Sequence, residues 1–486
     1  MVELEITERL STDLPLTSAE AVAADVAATA TVGVSGFGSV GYPKAVPDAI
    51  SDSEREFALT IVSGGSVGKE IDTGLIEADA VERRFPYQSR SESRTAANSG
   101  DLAYQDRHIS RFSDEVEFKR TAEVDLAIIE AVAVGDDWLI PSTSLGHSAT
   151  FVEAADRVVI EVNEAQPLAL QELHDIYRRG QPPDREPIPL RNPGGSIGSS
   201  TISFDREKLV GVVQTERRDT PYVFRDPSET DKAIASNLAE FLVEEVERNP
   251  VLSEVINLQF GVGSLGNALM SAIADTDFGS REVNYFGEVI QDGLLDMLDE
   301  GKLNAASATS LAFSSEGQER FFRNIDQYLD DIVLRPASIS NNPTLADRFG
   351  VVGVNSALEV DIYGHVNSTH VNGSRVINGI GGSGDFNRSA AVPIVALSST
   401  AKGGNLSSIV PMVPHVDHTE HDIAIVVTEQ GVADLRGKSP RERARLLIET
   451  CAHPSFRDEL TEYFETAKAD GGHIPHDLDR AFNWQD

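Results

Sequence analysis

Four short apolar stretches of this chain, several of them apolar on both faces, end in a glycine turn or a polar break, and no other feature restricts the fold as much. They are TATVGVSGF from Thr29, FALTIVSGG from Phe57, VDLAIIEAVAV from Val124 and RVVIEVN from Arg157. A strand with one wet face alternates apolar and polar residues, whereas a strand covered on both sides does not. Segments of helical periodicity separate these runs, which predicts an α/β protein of open, mostly parallel sheets covered by helices. A second series follows the helix ETDKAIASNLAEFLVEEVER from Glu229. VINLQFGVGSLGNALMSAIA from Val255 reads as strand, glycine turn and helix, the series runs to about Glu429, and SPRERARLLIETC from Ser439 reads as a closing helix. Between these series, from Gly180 to about Pro227, the composition shifts, with QPPDREPIPLRNPGGSIG and RRDTPYVFRDP rich in Pro, Gly and charge, and the stretch reads as linker or surface excursion. Two α/β domains are expected, 1–229 and 230–486, in keeping with a length of 486 residues.

Charge narrows the partners. There are 78 Asp and Glu against 41 Lys and Arg, a net charge of −37, and the acids are spread through every segment. Such a surface opposes nucleic acid, which needs a basic face, and anionic membranes. It fits adaptation to high salt, where repulsion among surface acids is screened. An anionic ligand must then be held by local Arg, Lys and backbone N–H groups. No apolar run approaches the roughly 18–20 residues of a membrane span, and MVELEITERL lacks the pattern of a secretory signal. The single cysteine, Cys451, precludes an internal disulfide and suits a reducing cytoplasm, the expected location.

Three motifs carry chemistry. GVGSLG, Gly261–Gly266, fits the dinucleotide pattern between a strand and a helix, with Glu282 as a ribose partner. It equally fits another phosphate-bearing ligand or a plain packing turn. GEVIQDG sets Glu288 between a strand-like stretch and a helix, where a carboxylate is either catalytic or merely favoured by the helix dipole. Asp292 and Asp296 follow at helical spacing and read as solvated. GIGGSGDFNRSA packs four glycines into six positions, a density suited to close approach by a ligand. VPHVDHTEHD offers His415, His418 and His421 beside three carboxylates, but lacks the HExxH spacing of a zinc helix and reads as a hydrogen-bonded turn. No serine sits in a G-x-S-x-G elbow.

Together these segments resemble the acetyl-CoA hydrolase/transferase family over nearly the whole chain. The resemblance is carried by GYPKAVPDAI, LIPSTSLGHSAT, VVIEVNEAQPLAL, LQFGVGSLGNA, GEVIQDGLLD, EVDIYGHVNSTHV, INGIGGSGDF and IVPMVPHVDHTEHDIAIVVTEQGVADLRG. It implies two domains of the CoA-transferase (NagB/RpiA-like) fold and a homodimer. It implies Glu288 as the nucleophile, with Asn341 and Glu429 lining the catalytic pocket. The N–H groups at Leu265 and Gly382 would serve the oxyanion. Gln259, Phe260, Gly261, Val262, Gly263, Asn378, Gly382 and Lys402 would contact coenzyme A, and no metal or resident cofactor is implied.

The implied substrates are a short-chain acyl-CoA (acetyl, propionyl or succinyl) and a free carboxylate, exchanged through a glutamyl-CoA thioester. Acetyl-CoA hydrolysis on the same glutamate is the near alternative, and a nicotinamide oxidoreductase using GVGSLG the distant one. This chain departs from its relatives at Gly287, where many carry a threonine, and at AYQDR, Ala103–Arg107. Both departures bear on the acceptor. Lys44 and Arg388, beside glycine turns, are further candidates to meet a CoA phosphate.

Overall fold

The computed structural model describes residues 8–220 and 225–484. By its contacts the chain forms two units. The first comprises Met1–Val223, Tyr285–Leu298 and Asn304–Leu345; the second comprises Phe224–Asn284, Asp299–Leu303 and Ala346–Asp486. Glu288 and Asn341, expected in the C-terminal half, therefore fold with the first unit.

In the first unit six strands run parallel in the order Val81–Phe85, Leu59–Ser63, Thr31–Val34, Leu126–Val134, Arg157–Asn163 and Leu209–Thr215. All nine positions of the central Leu126–Val134 strand are buried, Glu130 among them, as its mostly apolar run predicts. Helices Ala19–Asp25 and Ala45–Ser51 bury Val22, Val46 and Ile50 in one cluster with Val32, Leu59, Ile61 and Ile128. Phe151 of the helix Ser148–Ala154 comes so close to Gly33 that a Cβ there would lie 3.0 Å from the Phe151 ring, which explains a glycine in mid-strand.

The expected linker is the main difference from the sequence reading. Its portion at 221–224 lies outside the described residues. Within the rest, Leu209–Thr215 is a strand of the sheet and pairs with Arg157–Asn163. Upstream, Arg335 and Asp175 form a buried ion pair that fastens the Pro-Gly stretch. Arg335 Nη2 donates to Pro193 O (2.9 Å), and Asp175 Oδ1 accepts from Ile197 N (2.7 Å) and from Gly198 N. Proline and glycine mark a strapped excursion here, held by Asp175 nearby and by Arg335 more than a hundred residues away.

In the second unit, Val255–Phe260, Val352–Ser356, Val392–Ala396 and Ile425–Thr428 run parallel in that order, and Gly431–Asp434 returns antiparallel as a hairpin edge. Helix Glu229–Arg248 starts where the sequence reading puts it, with a capping box between Ser228 and Asp231. Helices Pro440–Thr450 and Pro454–Ala469 bury Leu447, Ile448, Leu460 and Phe464 in one core with Val395 and Val426. Among the described residues no helix is long and apolar enough to cross a membrane, and no cluster of His, Cys, Asp or Glu is arranged to hold a metal ion.

Candidate active site

Glu288 follows the strand Glu282–Phe286 and precedes the two-residue strand Val289–Ile290; the helix begins only at Asp292. The helix-dipole explanation of this carboxylate therefore does not hold. Its backbone is pinned by Thr309, whose N–H donates to Glu288 O at 3.0 Å, and Gly287 N donates to Ser307 O at 3.0 Å. Ser307 is itself gripped by buried Arg335, whose Nε donates to its hydroxyl at 2.8 Å. The strap and the glutamate thus share one scaffold.

Glu288 is partly buried. Asn341 Nδ2 donates to Glu288 Oε1 at 2.7 Å, and among the described residues no cation pairs with Glu288. Burial raises its pKa to about 7; the Asn341 hydrogen bond pulls the other way and is the weaker influence. The other end of the Asn341 amide, Oδ1, is buried with no partner among the described residues.

Sequence reasoning missed Tyr285. Its hydroxyl occupies the place a side chain at position 287 would take: a Cβ on Gly287 would lie 2.5 Å from Tyr285 Oη. Burial and then the Glu288 charge push the phenol upward, while the backbone N–H groups of Val289 and Glu288 bond to it and oppose this. A glycine two positions after a buried tyrosine at a strand end was the available signal. The departure at Gly287 is thus filled from within by Tyr285.

In the second unit the parallel strands set their carboxyl ends along one edge, the usual place for ligands in open α/β sheets. Two of those ends carry residues singled out from the sequence. After Val255–Phe260 come Gly261, Val262 and Gly263. The Gln259 side chain is turned inward, exchanging hydrogen bonds with Asn355 at 3.4 Å, and Phe260 is buried. A Cβ on Gly261 or Gly263 would meet no atom within 4 Å, so the protein's own packing does not demand glycine at 261. Gly263 adopts φ +127°, a conformation that favours glycine, and caps the helix Ser264–Ala274. The first helical bond is Asn267 N to Gly263 O (2.9 Å), which leaves the Leu265 N–H among the amides without an intrahelical acceptor.

After Ile425–Thr428 comes Glu429, and after Val392–Ala396 comes Ser399, which sequence reading did not single out. Ser399 N donates to Glu429 Oε2 at 2.8 Å, its hydroxyl donates to Oε1, and Gln430 Nε2 donates at 3.2 Å. Burial raises the Glu429 pKa, but these donors outweigh it, and the net result lies below the ordinary glutamate value. Asn378 is half-buried and loosely held, its Nδ2 3.5 Å from Ser368 O. Gly382 caps the short helix Ser383–Asn387 and follows Gly381 at φ +54°. Lys402 is exposed at the tip of a hairpin.

Two further candidates separate. Lys44 is fully buried, its Nζ 2.5 Å from Glu130 Oε2 and 2.9 Å from Asp219 Oδ1, so it is a core ion-pair residue with no access to a phosphate. Arg388 is exposed and lies 3.6 Å from Asp422. The HVDHTEH segment behaves as a turn: His418 Nε2 sits 3.1 Å from Ser383 Oγ, and Glu420 pairs with His365 at 2.7 Å. Asp292 is not free in solvent, since it accepts from Ser314 N at 2.8 Å; Asp296 pairs with Arg320 at 2.7 Å.

Residues 13–214 match the acetyl-CoA hydrolase/transferase N-terminal domain and residues 317–464 the C-terminal domain of the same name. The chain is 46% identical to the succinyl-CoA:acetate CoA-transferase of Clostridium kluyveri, covering 99% of this chain and 90% of that one. It is 39% identical to the acetyl-CoA hydrolase of Yarrowia lipolytica, covering 93% and 90%. The crystal structure of 4-hydroxybutyrate CoA-transferase from Porphyromonas gingivalis superposes with a TM-score of 0.63 at 20% identity, over 93% of this chain and 97% of that one, and shares the α/β fold.

Proposed function

We propose, from the premise that this chain belongs to the acetyl-CoA hydrolase/transferase family and is an enzyme of that kind, that it moves coenzyme A between a short-chain acyl-CoA and a free carboxylate through Glu288. The observation that carries the reading is a largely buried glutamate that, among the described residues, has one amide donor and no cation, and whose pKa of about 7 marks a poorly stabilised anion. A carboxylate is a weak nucleophile when hydrated or ion-paired; stripped of both it attacks a thioester.

The steps balance without a cofactor. A Glu288 oxygen adds to the thioester carbonyl, the C–S bond breaks, and CoA leaves as the thiolate, giving an acyl-glutamyl anhydride. The thiolate attacks the glutamyl carbonyl and expels the first carboxylate, leaving glutamyl-CoA. An incoming carboxylate attacks that thioester, and the released thiolate takes the new acyl group, which restores Glu288. Each addition creates an oxyanion, the role assigned in this reading to the Leu265 and Gly382 amides; one such donor is worth about 3 kcal/mol of barrier. Gly261, Val262, Gly263, Asn378 and Lys402 hold CoA, the two inward side chains Gln259 and Phe260 shape that turn, and Glu429 remains an anion.

Acetyl, propionyl and succinyl groups are the proposed donors, with acetate, propionate and succinate as acceptors. Water in place of the carboxylate makes the same residues a hydrolase, an activity for which the Yarrowia lipolytica relative is named. Carboxylate-dependent consumption of acyl-CoA, with formation of the new acyl-CoA, supports transfer; consumption indifferent to added carboxylate supports hydrolysis. The reading also makes the protein a cytoplasmic homodimer suited to high salt, and a mass of one chain by light scattering in concentrated KCl counts against the dimer.

A further inference from the structure

In a chain of net charge −37, three arginines gather around one small cavity of the first unit. Arg178, Arg179 and Arg185 meet Asp114 and Glu117 of the helix Ile109–Glu117, Thr150 of the helix Ser148–Ala154, and Ser338. The cavity measures about 20 Å³. A space of about 10–15 Å³ admits one water-sized sphere, so this one takes a single small ion or a water and nothing larger.

Charge and hydrogen bonding decide between the two. Three arginines face two carboxylates across the cavity. Arg111, which acts on Asp114, and Glu153, which pairs with Arg178, leave the surplus at one positive charge. Asp114 is already engaged, accepting from Arg179 Nη2 and from Arg185 Nη1 and Nη2, each at 2.9 Å. The Arg179 side chain is only 13% exposed, and among the described residues its Nε and Nη1 make no hydrogen bond. Burial lowers its pKa, and attraction to Asp114 does not restore it, as expected of a cation short of anionic partners. The hydroxyls of Thr150 and Ser338, residues 7% and 9% exposed, also lack a hydrogen-bond partner among the described residues. A water satisfies such donors but leaves the charge; a monovalent anion does both.

Ser338 connects this cavity to the nucleophile. It belongs to the helix Ala337–Ser340, where Asn341 N donates to Ala337 O at 2.9 Å and Asn342 Nδ2 to Ser338 O at 3.1 Å. Asn341 is the residue that donates to Glu288. We propose that the cavity binds one small inorganic monovalent anion, for which chloride is the probe. Arg178 and Arg179 neutralise the ion, the Thr150 and Ser338 hydroxyls donate to it, and its binding fixes the helix that presents Asn341 to Glu288. The effect on activity rests on the transferase reading above; the binding site does not.

The test replaces potassium gluconate by KCl at constant ionic strength. The ³⁵Cl resonance should broaden saturably with wild-type protein, and its broadening should fall by about fivefold or more in Arg179→Gln and Ser338→Ala. In the wild type kcat should rise about fivefold over the same chloride range, and in Ser338→Ala it should not respond. Should Arg179→Gln fail to fold, Thr150→Val takes its place. Absence of saturable broadening in the wild type, or equal broadening in the variants, overturns the site. Saturable broadening with a kcat indifferent to chloride overturns the link to Asn341. Wild-type protein that turns over no acyl-CoA in either salt overturns the transferase reading instead, and the resonance still decides whether the anion binds.

Discussion

Glu288 and Glu429 are the same residue in opposite settings. Glu288, in the first unit, has one amide donor and a pKa raised to about 7. Glu429, in the second, collects donors from Ser399 and Gln430, and its pKa falls below the ordinary value. Burial raises both; hydrogen bonding reverses the sign only at Glu429. A satisfied anion is stable and unreactive, and a dissatisfied one is primed to form a covalent bond. In the proposed reading that contrast is what distinguishes the nucleophile from a permanent charge.

That contrast can be broken by substitution. The largest effect is expected at the nucleophile: Glu288→Ala should lower kcat/KM for transfer by about 10⁴-fold or more, and Glu429→Gln by only about 10- to 100-fold, measured by steady-state kinetics. Equal losses would remove the distinction. Next in size, Asn341→Ala deletes the Asn341 donor to the Glu288 anion. Activity should fall by about 10- to 100-fold, and the acid limb of the kcat/KM profile, set near pH 7 in the wild type, should move to higher pH. A limb that stays in place would mean Asn341 does not act on Glu288.

Stability should show the same opposition, with smaller magnitudes. A carboxyl group with a folded pKa of about 7 and an unfolded value near 4.3 costs nothing while protonated; the cost of its charge grows between those values and persists above them. Glu288→Gln should therefore stabilise the protein by about 1–3 kcal/mol at pH 8, and the gain should disappear below about pH 4. Glu429 has the depressed pKa, so its contribution is present above the unfolded value and is lost as pH falls through the folded one. Glu429→Gln should destabilise by about 1 kcal/mol at neutral pH, with the difference vanishing in acid. Thermal denaturation across pH checks both signs.

The parts of the molecule legible in the sequence were those fixed by local pattern. The Leu126–Val134 strand, the capped helix Glu229–Arg248 and the glycine turn before Ser264 each declare themselves within about twenty residues. Glu288 stood out only through the family motif around it, because one carboxylate at a strand end has no local signature. What stayed hidden depends on partners far along the chain. The Pro-Gly stretch at 192–198 looks like linker until Arg335 and Asp175 are seen holding it. Lys44 looks like a phosphate ligand until Glu130 and Asp219 close on it. Tyr285 earns no attention until its hydroxyl is found where a side chain at 287 would stand.

The central claim is that Glu288 bonds covalently to its substrate. Intact mass measurement after mixing the protein with acetyl-CoA in the absence of acceptor, followed by peptide mapping, tests it directly. The account predicts a CoA-sized increment on the peptide that contains Glu288, discharged by added acetate or succinate and absent in Glu288→Gln. Transfer that proceeds with no such increment, or an increment on any other peptide, would contradict it.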